Sequence, residues 1–411
     1  MRHVLRTERA LTTLATLVAA SSLAMSVLAA ASTLGCSGDG ADESDDSVAG
    51  GVKGGCGKKK NCGGASSSSS SSASGAGGST STSSGSSSSS ASSGSGGAPS
   101  CALTDSGPVQ ATADGQVFEK LRITSTSGPA VSIDGHSGVI IRDCEILHQG
   151  GAGIEFFGAP GLTIERTRVV HTGAPSNGAN PSDELVNIVG YGSPNIVVSN
   201  VRLERGSSGI YLIESPGAHL SFIEGHDFRG PFPRGQLVQF DKSSDGTLED
   251  FSCLTPPDTS WPEDNVSVYQ SSNVVVRRGL IVGNNSPSGV GVMFEQSDGV
   301  TSGGLCEDVD TDDMGNGSFS GYPAREVTFN RTRARNNHCG GQAGRQAPLS
   351  NSLVWAGSPQ SDSLAVHDSS YFDLCNPGNV IWSTDVFVAP IELTEEDFAL
   401  RAPIQVDFCW D

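Results

Sequence analysis

The sequence predicts an all-β fold, a parallel β-helix solenoid of about eight or more coils within residues 101–411. Three observations predict it. First, one short pattern recurs seven times: Val131, Ile154, Ile188, Ile210, Val238, Val266 and Val292 are each followed two residues on by Ile133, Phe156, Gly190, Leu212, Phe240, Val268 and Phe294. Seven residues after the first position stand only turn formers, Gly138, Gly161, Asn195, Gly217, Asp245, Asn273 and Gly299. An apolar pair at i and i+2 shares one face of a strand, and Gly, Asn and Asp tolerate the left-handed backbone of a tight turn. Second, another apolar pair follows the turn, as in Val139/Ile141, Leu162/Ile164, Ile196/Val198, Ala218/Leu220 and Val274/Val276, and a third strand follows that. Third, no repeat shows a sustained 3.6-residue period with caps, so helices are few. A repeated unit of three short strands is the signature of a solenoid.

In chain order, residues 1–35 read as an export leader of lipoprotein type. Arg2, Arg6 and Arg9 precede an apolar stretch from Ala10 to Ala31, the charged start and apolar middle of a secretory signal. Thr33-Leu34-Gly35-Cys36 resembles the lipobox of bacterial lipoproteins, with Thr33 where that family usually has Leu. The resemblance implies lipidation of Cys36 and a membrane contact through that anchor alone. Cleavage after Ala29-Ala30-Ala31, giving a secreted chain, is the alternative. The expected location is the bacterial cell envelope, at the outer membrane or cell surface.

Residues 36–100 read as a disordered Gly/Ser-rich linker. From Gly63 to Ser100 the chain holds only Gly, Ala, Ser, Thr and one Pro, so it has almost no apolar surface to bury. Its root-mean-square span is roughly 35 Å. Residues 101–411 form the β-helix and its C-terminal cap. Spacings between successive turn residues of 23, 34, 22, 28, 28 and 26 suit coils of three strands, and seven stacked coils make a column about 30 Å long.

Segments such as Gly138 to His148 and Gly161 to His171 look like the right-handed parallel β-helix repeats of the pectate-lyase-like superfamily. The resemblance covers about residues 109 to 340, and Val327 to Arg333 echoes Leu162 to Arg168 as a further coil. Residues 341–411, with Trp355, Trp382 and Trp410, then supply the cap and the last irregular coils. The resemblance implies the fold rather than one activity, because the superfamily holds lyases, hydrolases, epimerases and adhesins.

Ten cysteines fit an oxidising compartment. With Cys36 assigned to the anchor and Cys56 and Cys62 able to close a short loop, seven remain, and the expected clamps are Cys306 with Cys339 and Cys375 with Cys409. No cysteine spacing suggests zinc. The net charge of −20, near −22 once the leader's Arg2, Arg6, Arg9 and Glu8 are set aside, repels nucleic acid and opposes unassisted capture of a strongly anionic polymer.

Extra length falls mostly just before the first strand of each coil, in residues 172–184, 227–236, 254–264 and 283–289. Loops there wall off the adjacent sheet, which in the superfamily resembled carries the substrate cleft. Its outward positions are Ser132, Glu155, Val189, Tyr211, Gln239, Ser267 and Met293, followed by Asp134, Phe157, Tyr191, Ile213, Asp241, Tyr269 and Glu295, then Gly135, Gly158, Gly192, Glu214, Lys242, Gln270 and Gln296. Aromatic rings among carboxylates and amides suit sugars. The site is therefore expected around Asp241 and Lys242, with Glu155, Tyr211, Glu214, Gln239, Tyr269 and Glu295 as substrate contacts and polysaccharide as the partner of a monomer.

A lyase or epimerase acting on a uronate polymer needs a base and a cation. Lys242 is the one Lys or Arg in the three columns, with Arg234 in the preceding loop as a helper; a turn residue ion-paired to Asp241 is the plainer reading. Hydrolysis needs paired carboxyls. Glu155 and Asp241 lie three coils, ~14 Å, apart, which leaves Glu214 with Asp241 as the close pair. A non-catalytic adhesin is the remaining alternative: a basic, concave face favours the enzyme, and a flat, acidic one favours adhesion.

His148 and His171 occupy equivalent positions and should stack, either as an acid–base or metal pair or as an external ladder at a corner. Asp308, Asp310 and Asp312 alternate in a Gly-rich segment and suit a Ca2+-binding loop, although Asp313 fills the position where an EF-hand needs Gly. A solvated acidic loop is the alternative. No other cofactor is indicated.

Overall fold

The computed structural model describes residues 101–176, 185–230, 233–256, 259–284, 289–295, 302–335, 353–357, 364–374, 380–382 and 388–411. Among them every regular element is a strand, and every named pairing is parallel. The chain is a right-handed parallel β-helix. Cys36, Cys56, Cys62, Cys339 and Cys375, together with Gln296 and Gly299, lie outside the described residues.

Short strands stack into one sheet of eleven. Seven of them carry the predicted register: Val131, Ile154, Ile188, Ile210, Val238, Val266 and Val292 pair rung to rung, and all are buried. Val109–Gln110 adds a rung before them, and Gly317–Gly321, Leu353–Gly357 and Ile381–Trp382 extend the sheet beyond. Residues 341–411 thus contribute true rungs. Trp355 is one of them, fully buried, stacked 5.9 Å from Phe319 and donating Nε1–H to Thr332 Oγ1 at 3.0 Å.

The second and third strands of a coil mostly run together, as in Val197–Glu204, His219–His226, Thr247–Leu254 and Val275–Val282. Each bends once at a residue with positive φ: Asn200, Phe222, Asp250 and Arg278. Six of the predicted turn residues also have positive φ, from Gly138 through Asn273. The next rung differs from expectation. The Asn273 N–H donates to the Ser302 carbonyl, so Gly303, at φ 72°, takes the turn position expected at Gly299.

Inside the corner after four consecutive short strands, those ending at Tyr191, Ile213, Asp241 and Tyr269, Ser193, Ser215, Ser243 and Ser271 form a ladder. Each of the last three hydroxyls accepts the backbone N–H of the preceding serine, at 3.1, 2.9 and 2.7 Å. This satisfies backbone donors that would otherwise be buried unpaired. One apolar rung is filled by compensation: Gly190 stands where its column otherwise holds large residues, and a Cβ there would lie 2.0 Å from the Phe156 ring.

Three expectations are corrected. Asp308, Asp310 and Asp312 do not form a loop; they belong to the strand Leu305–Asp312 and face Arg331, Arg333 and Arg335 on the next rung, 23 residues on, with Nε–Oδ1 distances of 2.9, 2.8 and 3.2 Å. Guanidinium groups occupy the carboxylates a cation would need, and among the described residues no group of three or more potential ligands gathers. His148 and His171 do stack, at 4.9 Å, but inside the wall rather than at an external corner. Burial first and the His171 ring second push His148 down to about 4, so it is neutral, with Nδ1 2.8 Å from the Gly151 carbonyl and Nε2 3.1 Å from Asn187 Nδ2.

Cys409 pairs with Cys101 rather than Cys375, and Cys306 is a free, buried thiol like Cys144 and Cys253. The reason is the path of the C-terminus, which returns along the outside of the long-strand sheet. The Arg401 N–H donates to Asp310 at 2.7 Å, Ser252 Oγ donates to the Ile404 carbonyl at 3.2 Å, and the Val406 N–H donates to Glu224 at 2.8 Å. The end of the chain therefore reaches Cys101, 308 residues away in sequence.

Candidate functional site

The outward side chains of the short-strand sheet are ordered by its register. Tyr211 pairs with Gln239 and then Ser267; Ile213 pairs with Asp241, Asp241 with Tyr269, and Tyr269 with Glu295. Asp241 and Glu295 thus share one row two rungs apart, ~10 Å between backbones at ordinary strand spacing. Tyr211 donates its phenolic O–H to Asp241 Oδ2 at 3.0 Å. The other oxygen, Oδ1, is buried and accepts no hydrogen bond, as is Gln239 Oε1.

Arg234 enters this row from the preceding loop. The Glu263 N–H donates to the Arg234 carbonyl at 2.9 Å. Gly235, at φ 114°, lets that loop press against Pro262, where a Cβ would meet the proline Cα at 2.1 Å. The guanidinium lies 5.2 Å from the Tyr211 ring centroid, and its buried Nε has no acceptor. Loop packing thus brings Arg234 onto the same aromatic ring that hydrogen-bonds Asp241.

Glu263 and Asp264 were not anticipated. They end the 254–264 insertion immediately before the strand Val266–Tyr269, and an acidic pair at the mouth of a site strand was the available signal. Asp264 is buried and accepts the Val290 N–H at 2.9 Å. Gln236 Nε2 lies 3.4 Å from Glu263 Oε2.

Burial raises every carboxyl of this group. Asp241 is pushed up by burial, while the Tyr211 hydrogen bond and Lys242 oppose the shift. Glu263 is raised by burial against the pull of Arg234. Glu295 is held well above the usual carboxylate range by burial, then by repulsion from Glu263 and Asp241. Asp264 rises through burial, then through Glu263 and Glu295. Mutual repulsion places these carboxyls within electrostatic reach of one another, as groups sharing a poorly solvated site are.

The other expected residues are more dispersed. Lys242 and Glu214 are exposed at left-handed turn positions, φ 51° for both, with the Glu214 N–H donating to the Asp241 carbonyl at 2.9 Å. The Gln270 amide donates to the Tyr269 hydroxyl at 3.2 Å. Glu155 stands three rungs from Asp241 on the Tyr211 column, half-buried and raised by burial. The face is therefore acidic, yet its carboxyls are partly desolvated rather than spread over a flat solvated surface.

Residues 100–230 match the family described as Right handed beta helix region; Arg234, Asp241, Glu263 and Glu295 lie beyond that match. No curated protein matches the chain by sequence. Solved structures that resemble it include tailspike protein 2 of Escherichia coli O157:H7 bacteriophage CAB120, 11% identical with a TM-score of 0.40 over 64% of this chain and 38% of that one. Endo-xylogalacturonan hydrolase from Aspergillus tubingensis is 11% identical with a TM-score of 0.36 over 71% and 88%. DFA-IIIase from Arthrobacter chlorophenolicus A6 is 14% identical with a TM-score of 0.37 over 66% and 58%. The chain spans under half of the tailspike's length. At these identities and scores, the chemistry of the site rests on the site itself.

Proposed function

We propose that the short-strand face hydrolyses glycosidic bonds of a polysaccharide, with Glu295 as general acid and Asp241 as general base. The observation that carries this reading is two carboxyls on one row, two rungs apart, held in different environments. Glu295, raised by burial and by neighbouring carboxylates, retains a proton to give to the leaving oxygen. Asp241, whose rise is opposed by the Tyr211 hydrogen bond, keeps one carboxyl oxygen, Oδ1, with no hydrogen bond of its own. Environments that separate two carboxyl pKa values define such acid and base roles.

Water gives its proton to Asp241 as its oxygen bonds to the anomeric carbon, and the leaving oxygen takes the proton of Glu295. Carboxyls about 6.5–9.5 Å apart leave room for that water and invert the anomeric configuration, whereas about 5 Å would favour a covalent intermediate. A two-rung backbone spacing of ~10 Å lies nearer the longer separation than the shorter one.

The uronate lyase or epimerase reading with Lys242 as base has less support, because the lysine is exposed at a turn beside the row. Product chemistry separates the two readings. Incubation of the protein with neutral and uronate polysaccharides should release reducing ends without new double-bond absorbance. Double-bond absorbance from a uronate polymer would overturn hydrolysis in favour of elimination.

The same reading places the protein outside the cell, on the strength of the leader's sequence, with Cys36 as lipid anchor. Labelling cells with a radioactive fatty acid should mark the wild-type protein and not Cys36→Ser. Equal labelling of both would remove the anchor from the account.

A further inference from the structure

We infer that Phe157 and Tyr191 form a sugar-stacking platform for an uncharged polysaccharide lying along the catalytic row, an inference that rests on the hydrolytic reading of that row. The register runs Phe157, Tyr191, Ile213, Asp241, Tyr269, Glu295. Phe157 therefore stands three rungs, ~14 Å, from Asp241. That distance fits one extended chain contacting both.

Phe157 is 43% exposed, an unfavourable place for a large apolar ring unless something covers it. Its ring is stacked face to face on Tyr191, at 4.7 Å with an interplanar angle of 4°. The large apolar side chains of comparable exposure among the described residues, Val117, Val197, Phe222, Val388 and Ile391, belong to the long-strand sheet or, for Val388, hydrogen-bond to it. Phe157 alone among these faces the catalytic row.

The rim beside the pair is kept bare. Gly158 and Gly192 follow the two aromatics, at φ 53° and 57°, and a Cβ on either would meet nothing within 4 Å. On later rungs the same position carries Glu214 and Lys242. An aromatic face with an open rim fits the C–H face of a sugar ring, while half-buried Glu155, within electrostatic reach of Tyr191, can accept from its hydroxyls.

Charge selects the ligand class. The whole chain carries −20, and this face adds few cations, Arg234 and Lys242, to offset it. A polyanion meets repulsion along its length, whereas a neutral glycan meets only hydrogen-bonding and stacking groups.

Affinity electrophoresis through gels containing dextran, laminarin, xylan or polygalacturonate tests the platform at physiological salt. Wild type should be slowed by at least one neutral polymer and not by polygalacturonate. Phe157→Ala should weaken that retardation at least tenfold, as should Phe157→Leu, which keeps apolar packing on Tyr191 but removes the aromatic face. Phe157→Trp should preserve it. Retardation by no neutral polymer, retardation by polygalacturonate, or undiminished binding by both Phe157→Ala and Phe157→Leu overturns the inference. Glu295→Gln separates the two claims: it should bind like wild type, and if it also keeps full hydrolytic activity, the catalytic assignment fails while the platform stands.

Discussion

Tyr211 and Asp241, on adjacent rungs, share a 3.0 Å hydrogen bond that satisfies one carboxylate oxygen and leaves the other buried without a partner. The bond stabilises the ionised carboxylate, so it holds Asp241 below the value burial alone would set. Tyr211 is itself pushed up, first by burial and then by the Asp241 charge, and stays a donor at any ordinary pH.

Tyr211→Phe should therefore raise the Asp241 pKa and move the acidic limb of the kcat/KM profile upward, with a loss of rate at neutral pH of about tenfold. A pH profile on whichever neutral polymer is cleaved checks this. An unmoved acidic limb would show that Asp241 is not the base.

Stability should fall as pH rises across the site. Glu263, Asp264 and Glu295 have folded-state pKa values above their unfolded ones. Their contribution is fully present below about 4.5 and is lost as pH rises toward the raised values. Thermal melts of wild type between pH 5 and 8 should lose several degrees, and Glu263→Gln should flatten that decline. Equal slopes in the two proteins would mean that Glu263 titrates normally.

Much of the fold was legible because a β-helix repeats its constraints on every rung. One Val or Ile column set the register of seven coils, and the structure keeps it, while the turn column holds at six positions and gives way to Gly303 at the next. Legibility failed where the determinant is non-local. Nothing near Cys409 announces Cys101, because their meeting depends on a tail that runs back over several rungs. The alternation Asp308, Asp310, Asp312 was visible, but its partners Arg331, Arg333 and Arg335 lie one rung on. Carboxylate alternation is a calcium signal only when no arginine alternates with it at the coil spacing. Of the carboxyls grouped at the candidate site, the strands offered Asp241 and Glu295, whereas Glu263 comes from a loop that periodicity does not index.

Gly190 is explained by its neighbour across the rung. Gly190→Val should cost about 3 kcal/mol or more through collision with Phe156. Adding Phe156→Ala should recover part of it, so the double mutant is more stable than additivity predicts by at least ~1 kcal/mol. Additive losses in denaturant unfolding would show that the two side chains do not share that space.

The Asp308–Asp312 strand should be indifferent to calcium. Chelation with EDTA should leave the melting temperature unchanged. Asp310→Ala, which strips a buried carboxylate from Arg333 and the Arg401 N–H, should cost roughly 3–5 kcal/mol. A chelation-sensitive melt would restore a metal at this strand.

The catalytic assignment is tested most directly by comparing reducing-end release by wild type, Glu295→Gln and Lys242→Ala on the same neutral polysaccharide. The expected result is a loss of about 10²–10⁴-fold for Glu295→Gln, with Lys242→Ala within about threefold of wild type and both variants melting as wild type does. Full activity in Glu295→Gln, or abolition of activity by Lys242→Ala alone, would contradict it.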